Sequence, residues 1–384
     1  MKRLRIMSLV GARPNFMKIA PLCAELRKVA LVEHFLVHSG QHYSEQMSGA
    51  FFRDLEMPDP QVNLEVGSGS HAWQTAEVMK RLEPVVLDWQ PDLIVVVGDV
   101  NSTLAASLVA AKLGISVAHV EAGLRSFDMG MPEEVNRRLT DAVSEFLFVT
   151  EESGVRNLER EGTSRDRIFL VGNVMIDTLL RFRAASARSP ILDDLGLRAE
   201  GDRPKPYAVL TLHRPANVDD EGALRQLLIS LAELSRSLPT FFPIHPRSME
   251  KVRSFGLEDH LRLDSSKHYD SGIIPIPPLS YLDFLCLMDH ARMVLTDSGG
   301  IQEETTVLGV PCLTLRENTE RPVTVELGTN QIVGRDAAKI LSSAHKILQG
   351  DYRPGQKPPL WDGHAAERIV QILLQRMRPE SIKQ

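Results

Sequence analysis

Short runs of consecutive apolar residues alternate along the chain with longer stretches whose apolar positions recur every three to four residues. LRIMSLV at 4–10 is followed by NFMKIAPLCAELRKV, then HFLVHSG at 34–40, LIVVVG at 93–98, a helical pattern over about 102–113, SVAHV at 116–120 and FLFVT at 146–150. Apolar runs with no polar alternation predict strands buried on both faces. Strands of that kind separated by amphipathic helices predict a parallel sheet covered by helices on both sides. After RIFLVGN at 167–173 and a helix predicted near 174–186, the stretch SARSPILDDLGLRAEGDRPKP is rich in Pro, Gly and charge and reads as a linker. The alternation then restarts: YAVLTL, TFFPIHP, LRLD at 261–264, MVLTDSGG, PCLTLRE and NQIVG are the second set of predicted strands, and AAERIVQILLQRM at 365–377 is a last amphipathic helix. The predicted fold is α/β, with two Rossmann-like domains whose parallel sheets face each other across a cleft.

Composition supports this picture and narrows the partners. At 384 residues the chain exceeds what one core of about 150 residues needs, and 43% hydrophobic with 24% charged residues is ordinary globular usage. The formal net charge of −6 supplies no overall basic field for coating nucleic acid or an anionic membrane, so any basic site is local. Cys23, Cys286 and Cys312 lie in apolar segments without metal-ligand spacing and read as reduced core thiols, which points to the cytoplasm. The start MKRLRIMSLVGARP imitates a signal peptide for a few residues, but its apolar part is short and runs into Arg13-Pro14, so it reads as a first strand. No run approaches the ~20 apolar residues that span a bilayer.

Polar residues gather immediately after the predicted strands: Arg13, His42, Asp99, Glu121, His213 with Arg214, His245, and Asp297 with Ser298. Ligands of open parallel sheets bind beyond the carboxyl ends of the strands, so this distribution marks a site rather than ordinary loop polarity. In TDSGGIQEE a strand ends at Thr296, Ser298-Gly299-Gly300 makes a turn without bulky side chains and a helix begins, which is the arrangement that cradles a diphosphate; Glu304, a turn further on, could accept bonds from ribose hydroxyls. An ordinary Ser N-cap followed by acidic residues has the same look. GARPNFMK places Arg13 and Lys18 near a helix start, where cations serve an anionic ligand better than the helix dipole. MPEEVNRRL pairs Glu133 and Glu134 with Arg137 and Arg138 at i,i+4 spacing, which on its own describes a surface helix start. With Asp99 and Glu121 nearby in the fold, Glu133 would join a pool of carboxylates for acid–base chemistry at one sugar carbon.

Together these motifs resemble the non-hydrolysing UDP-N-acetylglucosamine 2-epimerases, which have the two-domain GT-B fold. The resemblance runs from GARPNFMK through SGQH, VGDVNSTLA, HVEAGLRS, PEEVNR, VGNVMIDT, TLHRPAN, PIHP, TDSGGIQEE and ERPVTVELGT, and covers about residues 6–335. It implies that Arg13, Lys18, Asp99, Glu121, Glu133, Arg137 and His213 are active-site positions. It likewise implies that His245, Phe284, Ser298, Gly299, Gly300, Glu304 and Arg321 line the nucleotide or the cleft, and that Gln41, His42 and Gln46 belong to a regulatory site. It divides the chain into a sugar-side domain over 1–176, completed by a C-terminal helix within 363–384, and a UDP-binding domain over 177–362. The implied partner is a UDP-sugar, with no cofactor, no metal, no nucleic acid and no membrane, in a cytoplasmic homodimer. The chain departs from the family pattern at Ala216-Asn217, where Glu-Asn is usual, and at Val100-Asn101-Ser102-Thr103, where threonines are usual. The loop between Glu121 and Glu133 is also shorter. These changes touch the sugar end, which leaves open a modified UDP-hexosamine such as a diacetamido uronate, or a GT-B glycosyltransferase.

Overall fold

A computed structural model describes residues 3–11, 13–40, 52, 54–198, 204–264 and 269–377. The chain forms two compact units, one of residues up to Arg181 together with those from Pro359 onward, the other of Phe182–Pro358.

The first unit is built on β1 (Leu4–Val10), α1 (Arg13–Arg27), β2 (Val32–His38), β3 (Val62–Asn63), α2 (His71–Trp89), β4 (Leu93–Val97), α3 (Asn101–Lys112), β5 (Ser116–Ala122), α4 (Pro132–Val143), β6 (Phe146–Val149), α5 (Glu152–Arg160), β7 (Ile168–Leu170) and the start of α6 (Val174–Ser186). Its seven strands are all parallel in the order β3-β2-β1-β4-β5-β6-β7. Every residue of β4 is buried, as expected of a central strand covered on both faces. Val78, Leu82 and Val86 of α2, with Ala106 and Val109 of α3, pack over β4 and form the core on one face. The end of the chain returns to this unit. Trp361 is buried and donates to the Thr150 carbonyl at 2.9 Å, and the Asp177 carboxylate accepts from the Ala365 and Ala366 amides at 3.1 and 2.7 Å.

The second unit continues with α7 (Ile191–Asp194), β8 (Ala208–Thr211), α8 (Pro215–Val218), α9 (Glu221–Ser235), β9 (Thr240–Pro243), α10 (Pro246–Ser254), β10 (Ile273–Ile276), α11 (Tyr281–Asp289), β11 (Met293–Thr296), α12 (Gly299–Leu308), β12 (Cys312–Thr314), α13 (Pro322–Glu326), β13 (Asn330–Ile332) and α14 (Ala337–Leu348). The six strands are again parallel, in the order β10-β9-β8-β11-β12-β13. The last helix, α15 (Ala365–Met377), belongs to the first unit and packs on α1.

One predicted strand is wrong. LRLD at 261–264 is irregular, and the edge strand beside β9 is IIPI at 273–276. The Arg262 guanidinium turns to Asp264 and the Ser271 carbonyl, and the Arg262 backbone amide donates to the Ile273 carbonyl of β10 at 2.7 Å, a single contact rather than a strand ladder. IIPI has the uninterrupted apolar character that the sheet needs; Pro275 is tolerated because β10 is an edge.

In both sheets the chain order reverses direction beside the first strand. The reversal lies between β1 and β4 in the first sheet and between β8 and β11 in the second. Connections leave in opposite directions at such a point, which opens a crevice beyond the strand ends. Arg13, Gly98 and Asp99 follow β1 and β4; His213, Arg214, Asp297 and Ser298 follow β8 and β11.

Candidate active site

In the first unit the strand-end residues are held in a buried ionic network. Lys18 of α1 and Glu121 of β5 are both buried and form a direct ion pair. Glu121 is a non-glycine residue at φ +73°, in the left-handed region, and the β5–β6 register shifts between Val120 and Ala122. A bulge of this kind re-aims one side chain out of the strand's alternation. Gly98, at φ +68°, stands beside the pair: a Cβ there would lie 2.9 Å from Lys18 Nζ and 3.4 Å from Glu121 Oε2. The glycine is needed both for its dihedral and for the approach of the lysine.

Asp99 accepts two bonds from Arg137 of α4, from Nε at 3.0 Å and Nη2 at 2.7 Å. Arg137 is itself buried and also donates to Glu134 at 2.8 Å. Asn136 adds a bond to the Asp99 carbonyl at 2.9 Å. The acidic pair of MPEEVNRRL is therefore split. Glu134 is fully buried, with Arg137 and the Ser126 amide as partners, while Glu133 is half-buried at the start of α4. Burial opposes the charge on Glu134, but the Ser126 amide and Arg137 outweigh it and hold the carboxyl below its usual range. Of the surface ion pairs expected here, Glu134–Arg138 forms at 3.5 Å, but the face of α4 carrying Glu134, Arg137 and Asp141 points inward rather than to solvent.

In the second unit Asp297, fully buried at the end of β11, accepts from the His213 amide at 3.1 Å, the Arg214 amide at 2.9 Å and Asn217 Nδ2 at 3.1 Å. Its other oxygen lies 2.8 Å from His213 Nδ1, and the His213 side chain is 54% exposed. Desolvation pushes the Asp297 carboxyl up, but His213 and the donated bonds hold it below the usual aspartate range. An ionised carboxylate on Nδ1 fixes the ring with Nε2 facing outward, the arrangement that presents a donor or acceptor to a ligand.

Ser298 is the N-cap of α12, and its amide donates to Thr296 Oγ1 at 2.9 Å. The first amides of a helix have no intrahelical partner, so the N-terminus of α12 is a place for an anion. Gly299 is glycine because of what lies behind it: a Cβ would sit 2.7 Å from Glu320 Oε1 and 2.8 Å from Arg321 Nη1. Arg321 is buried, 2.7 Å from Glu303 and 2.9 Å from Glu320, so its charge is already balanced within the fold. Glu304 is buried too, and its Oε1 accepts from the Tyr281 hydroxyl at 2.9 Å. His245 is exposed at the N-cap of α10, and Phe284 is half-buried on α11.

The structure thus brings Lys18 to Glu121 and Asp99 to Arg137 in one unit, and places His213, Ser298, Gly299 and Arg321 near the ends of β8 and β11 in the other, with Glu304 further along α12 against Tyr281. Arg13 opens α1, with its side chain outside the described residues; Gln41, His42 and Gln46 also lie outside them. Sequence reasoning gave Glu134 only a surface ion pair, noted Asn217 only beside a departure from the family pattern, did not single out Asn136, and named Asp297 only for following a strand. Their one signal was polarity on helix faces that ought to be apolar. Among the described residues no three His, Cys, Asp or Glu side chains are grouped as a metal site, and no helix is long and apolar enough to cross a membrane.

The sequence profile of the UDP-N-acetylglucosamine 2-epimerases matches residues 24–374. The chain belongs to that family. It is an epimerase, an isomerase with two parallel-sheet domains of the GT-B type. The UDP-N-acetylglucosamine 2-epimerase of Methanocaldococcus jannaschii is 41% identical over 381 residues, covering 96% of this epimerase and 99% of the relative. A crystal structure of the M. jannaschii enzyme in complex with UDP-GlcNAc and UDP superposes with a TM-score of 0.88 at 40% identity, over 96% of this chain and 99% of that one. The UDP-2,3-diacetamido-2,3-dideoxy-D-glucuronate 2-epimerase of Pseudomonas aeruginosa is 37% identical over 377 residues, covering 96% and 99% respectively.

Proposed function

We propose that this epimerase interconverts UDP-GlcNAc and UDP-ManNAc by eliminating and re-adding UDP. One observation carries the chemistry: Asp99, after β4, and Glu121, at the bulge near the end of β5, are each held by a buried cation, Arg137 and Lys18. C2 of the sugar bears an acetamido group and has no adjacent carbonyl, so a carbanion there would be unstabilised. Loss of the C2 proton to a carboxylate as the C1–O bond breaks avoids that species; the electron pair forms the C1–C2 double bond of a 2-acetamidoglucal, and UDP departs as the anion. Protonation of C2 from the other face and return of UDP to C1 complete the inversion. Asp99, Glu121 and Glu133 form the acid–base pool, with Lys18 and Arg137 setting the charge around them. Negative charge grows on the diphosphate as it leaves, where Arg13, His213 and the N-terminus of α12 would act. Ser298, Gly299, Gly300, Glu304, Arg321, His245 and Phe284 would hold the nucleotide. The M. jannaschii relative, crystallised with UDP-GlcNAc and UDP, supports the substrate.

The test is turnover of UDP-GlcNAc alone in deuterated water. UDP-ManNAc carrying one solvent deuterium at C2 is the expected product. Absence of UDP-ManNAc, or product retaining its original C2 proton, would overturn the reading. The P. aeruginosa relative favours a second substrate, the UDP-linked diacetamido uronate, and a higher kcat/KM on that sugar would make it the substrate. We further propose a homodimer acting in the cytoplasm, whose product feeds polysaccharide synthesis.

A further inference from the structure

Asp141 takes no direct part in the chemistry proposed above, yet it touches both sides of Glu121. One carboxylate oxygen lies 2.6 Å from His119 Nδ1, two residues before Glu121. The other accepts from the Gly123 amide at 3.1 Å, two residues after it, and from Arg125 at 2.7 Å. The far nitrogen of the same imidazole, Nε2, is 2.9 Å from the carbonyl oxygen of Gly98, the residue before Asp99. A carbonyl only accepts, so Nε2 donates, and the ring is a strut between α4 and the turn that carries Asp99. His119, Asp141 and Arg125 are all buried, and none of them touches Lys18 or Glu121 in the contacts above. Burial opposes the charge on Asp141, but the His119 ring and the Arg125 guanidinium hold its carboxyl below the usual aspartate range.

The arrangement answers a question posed by Glu121. A glutamate at φ +73° within a strand is strained by about 1–3 kcal/mol and persists only where its surroundings over-determine it. Bonds from one carboxylate to residues 119 and 123 clamp the backbone on either side of the bulge. The β6 ladder, paired with Val120 and Ala122, flanks the bulge along the sheet, and Asp141 adds a side-chain tie from α4.

We propose that Asp141, acting through His119 and the Gly123 amide, is the positioning residue that fixes Glu121 and Asp99 relative to each other. This rests on the reading of those two carboxylates as the acid–base groups. Asp141→Ala removes the clamp, so kcat for UDP-GlcNAc epimerisation should fall about 100-fold while KM and the UDP dissociation constant stay within about threefold, because misplacing a reacting group costs rate more than binding. Asp141→Asn can still accept from Gly123 and face the ring with its amide, with Nε2 still donating to Gly98, and should return kcat to within about tenfold of the parent. His119→Asn can still donate an amide N–H toward Asp141 but is too short to reach Gly98; it keeps the Asp141–Arg125 ion pair and serves if Asp141→Ala does not fold. It should lower kcat about tenfold or more with UDP binding unchanged.

Crystal structures supply a readout independent of turnover. Glu121 should leave the left-handed region in Asp141→Ala and keep it in Asp141→Asn, and the Gly98-Asp99 turn should move in His119→Asn. Parent-like kcat in His119→Asn, equal losses of kcat and UDP affinity, or variant structures with Glu121 and Asp99 unmoved would each overturn the proposal. If the parent enzyme neither epimerises nor exchanges C2, the functional reading fails, and the variant structures alone decide whether the clamp exists.

Discussion

Two carboxylates at the second sheet show how the same burial can have opposite consequences. Asp297 is surrounded by donors and carries a depressed pKa, so its stabilising contribution is present above the ordinary value of 3.8 and is lost only as pH falls through the lower folded value. Glu304 has one donor, the Tyr281 hydroxyl, and burial pushes its carboxyl from 4.5 up to about 7. The folded state therefore holds this proton more tightly than the unfolded chain, and stability declines as pH rises from about 4.5 to about 7. Glutamine keeps the acceptor for Tyr281 and removes the titration. Glu304→Gln should be more stable than the parent by about 1–3 kcal/mol at pH 8 and no different at pH 4, where both side chains are neutral; thermal unfolding at the two pH values checks it. An equal difference at both values would show that the carboxyl does not titrate as argued. The same variant should bind UDP about tenfold more weakly if Glu304 serves the nucleotide, since a residue that costs stability is retained for another reason.

At the level of elements, polarity on the buried face of a helix separates site from scaffold. α4 buries Glu134, Asn136, Arg137, Thr140 and Asp141 and leaves Leu139 45% exposed, the reverse of an ordinary amphipathic helix. Read alone, MPEEVNRRL described a surface helix start, and the inversion stayed hidden because the partners are remote. Arg137 reaches back 38 residues to Asp99, and His213 forward 84 residues to Asp297. Periodicity assigns the apolar face to the interior, which is wrong for α4, and says nothing of what the buried face meets. The left-handed Glu121 was equally hidden, since nothing in HVEAG marks the strained residue. Scaffold elements were easier. The central strands are apolar throughout because both faces are covered, while LRLD failed because alternation in four residues is also what a polar loop looks like. The return of α15 is capped by one carboxylate: Asp177 accepts from the first amides of that helix, a cap supplied from a distant helix. Asp177→Ala leaves these buried amides without their acceptor and should destabilise the first unit by about 1–3 kcal/mol. Faster amide exchange confined to Ala365–Met377 and the helix ends beneath it is the expected signature; exchange unchanged there would mean that Trp361 and the apolar face of α15 suffice.

Across the whole molecule, two sheets repeat one strand order without an evident sequence repeat, and each places its charged residues at its own point of reversal. This much was legible for Asp99, His213 and Asp297, whose post-strand positions follow from where apolar runs stop; Glu121, expected after its strand, lies instead within β5 at a bulge. The chemistries of the two sets differ. The first unit offers carboxylates held by cations; the second offers a histidine fixed by a carboxylate and a helix start backed by Arg321 and Glu320. In the elimination proposed above, the second unit's set would serve UDP and the first unit's set the sugar. Loosening one grip should then have a different effect from blocking the chemistry of the other. Gly299→Ala would press a methyl group on Glu320 and Arg321 and disturb the start of α12. It should lower UDP affinity about tenfold or more and let free UDP and 2-acetamidoglucal accumulate slowly in a reaction begun with UDP-GlcNAc. Asp99→Asn should slow epimerisation about 100-fold with no such leakage, because the glycal is then not formed at an appreciable rate. Chromatography of both reaction mixtures over many turnovers distinguishes the cases. Leakage from Asp99→Asn but not from Gly299→Ala would reverse the division of labour between the two units.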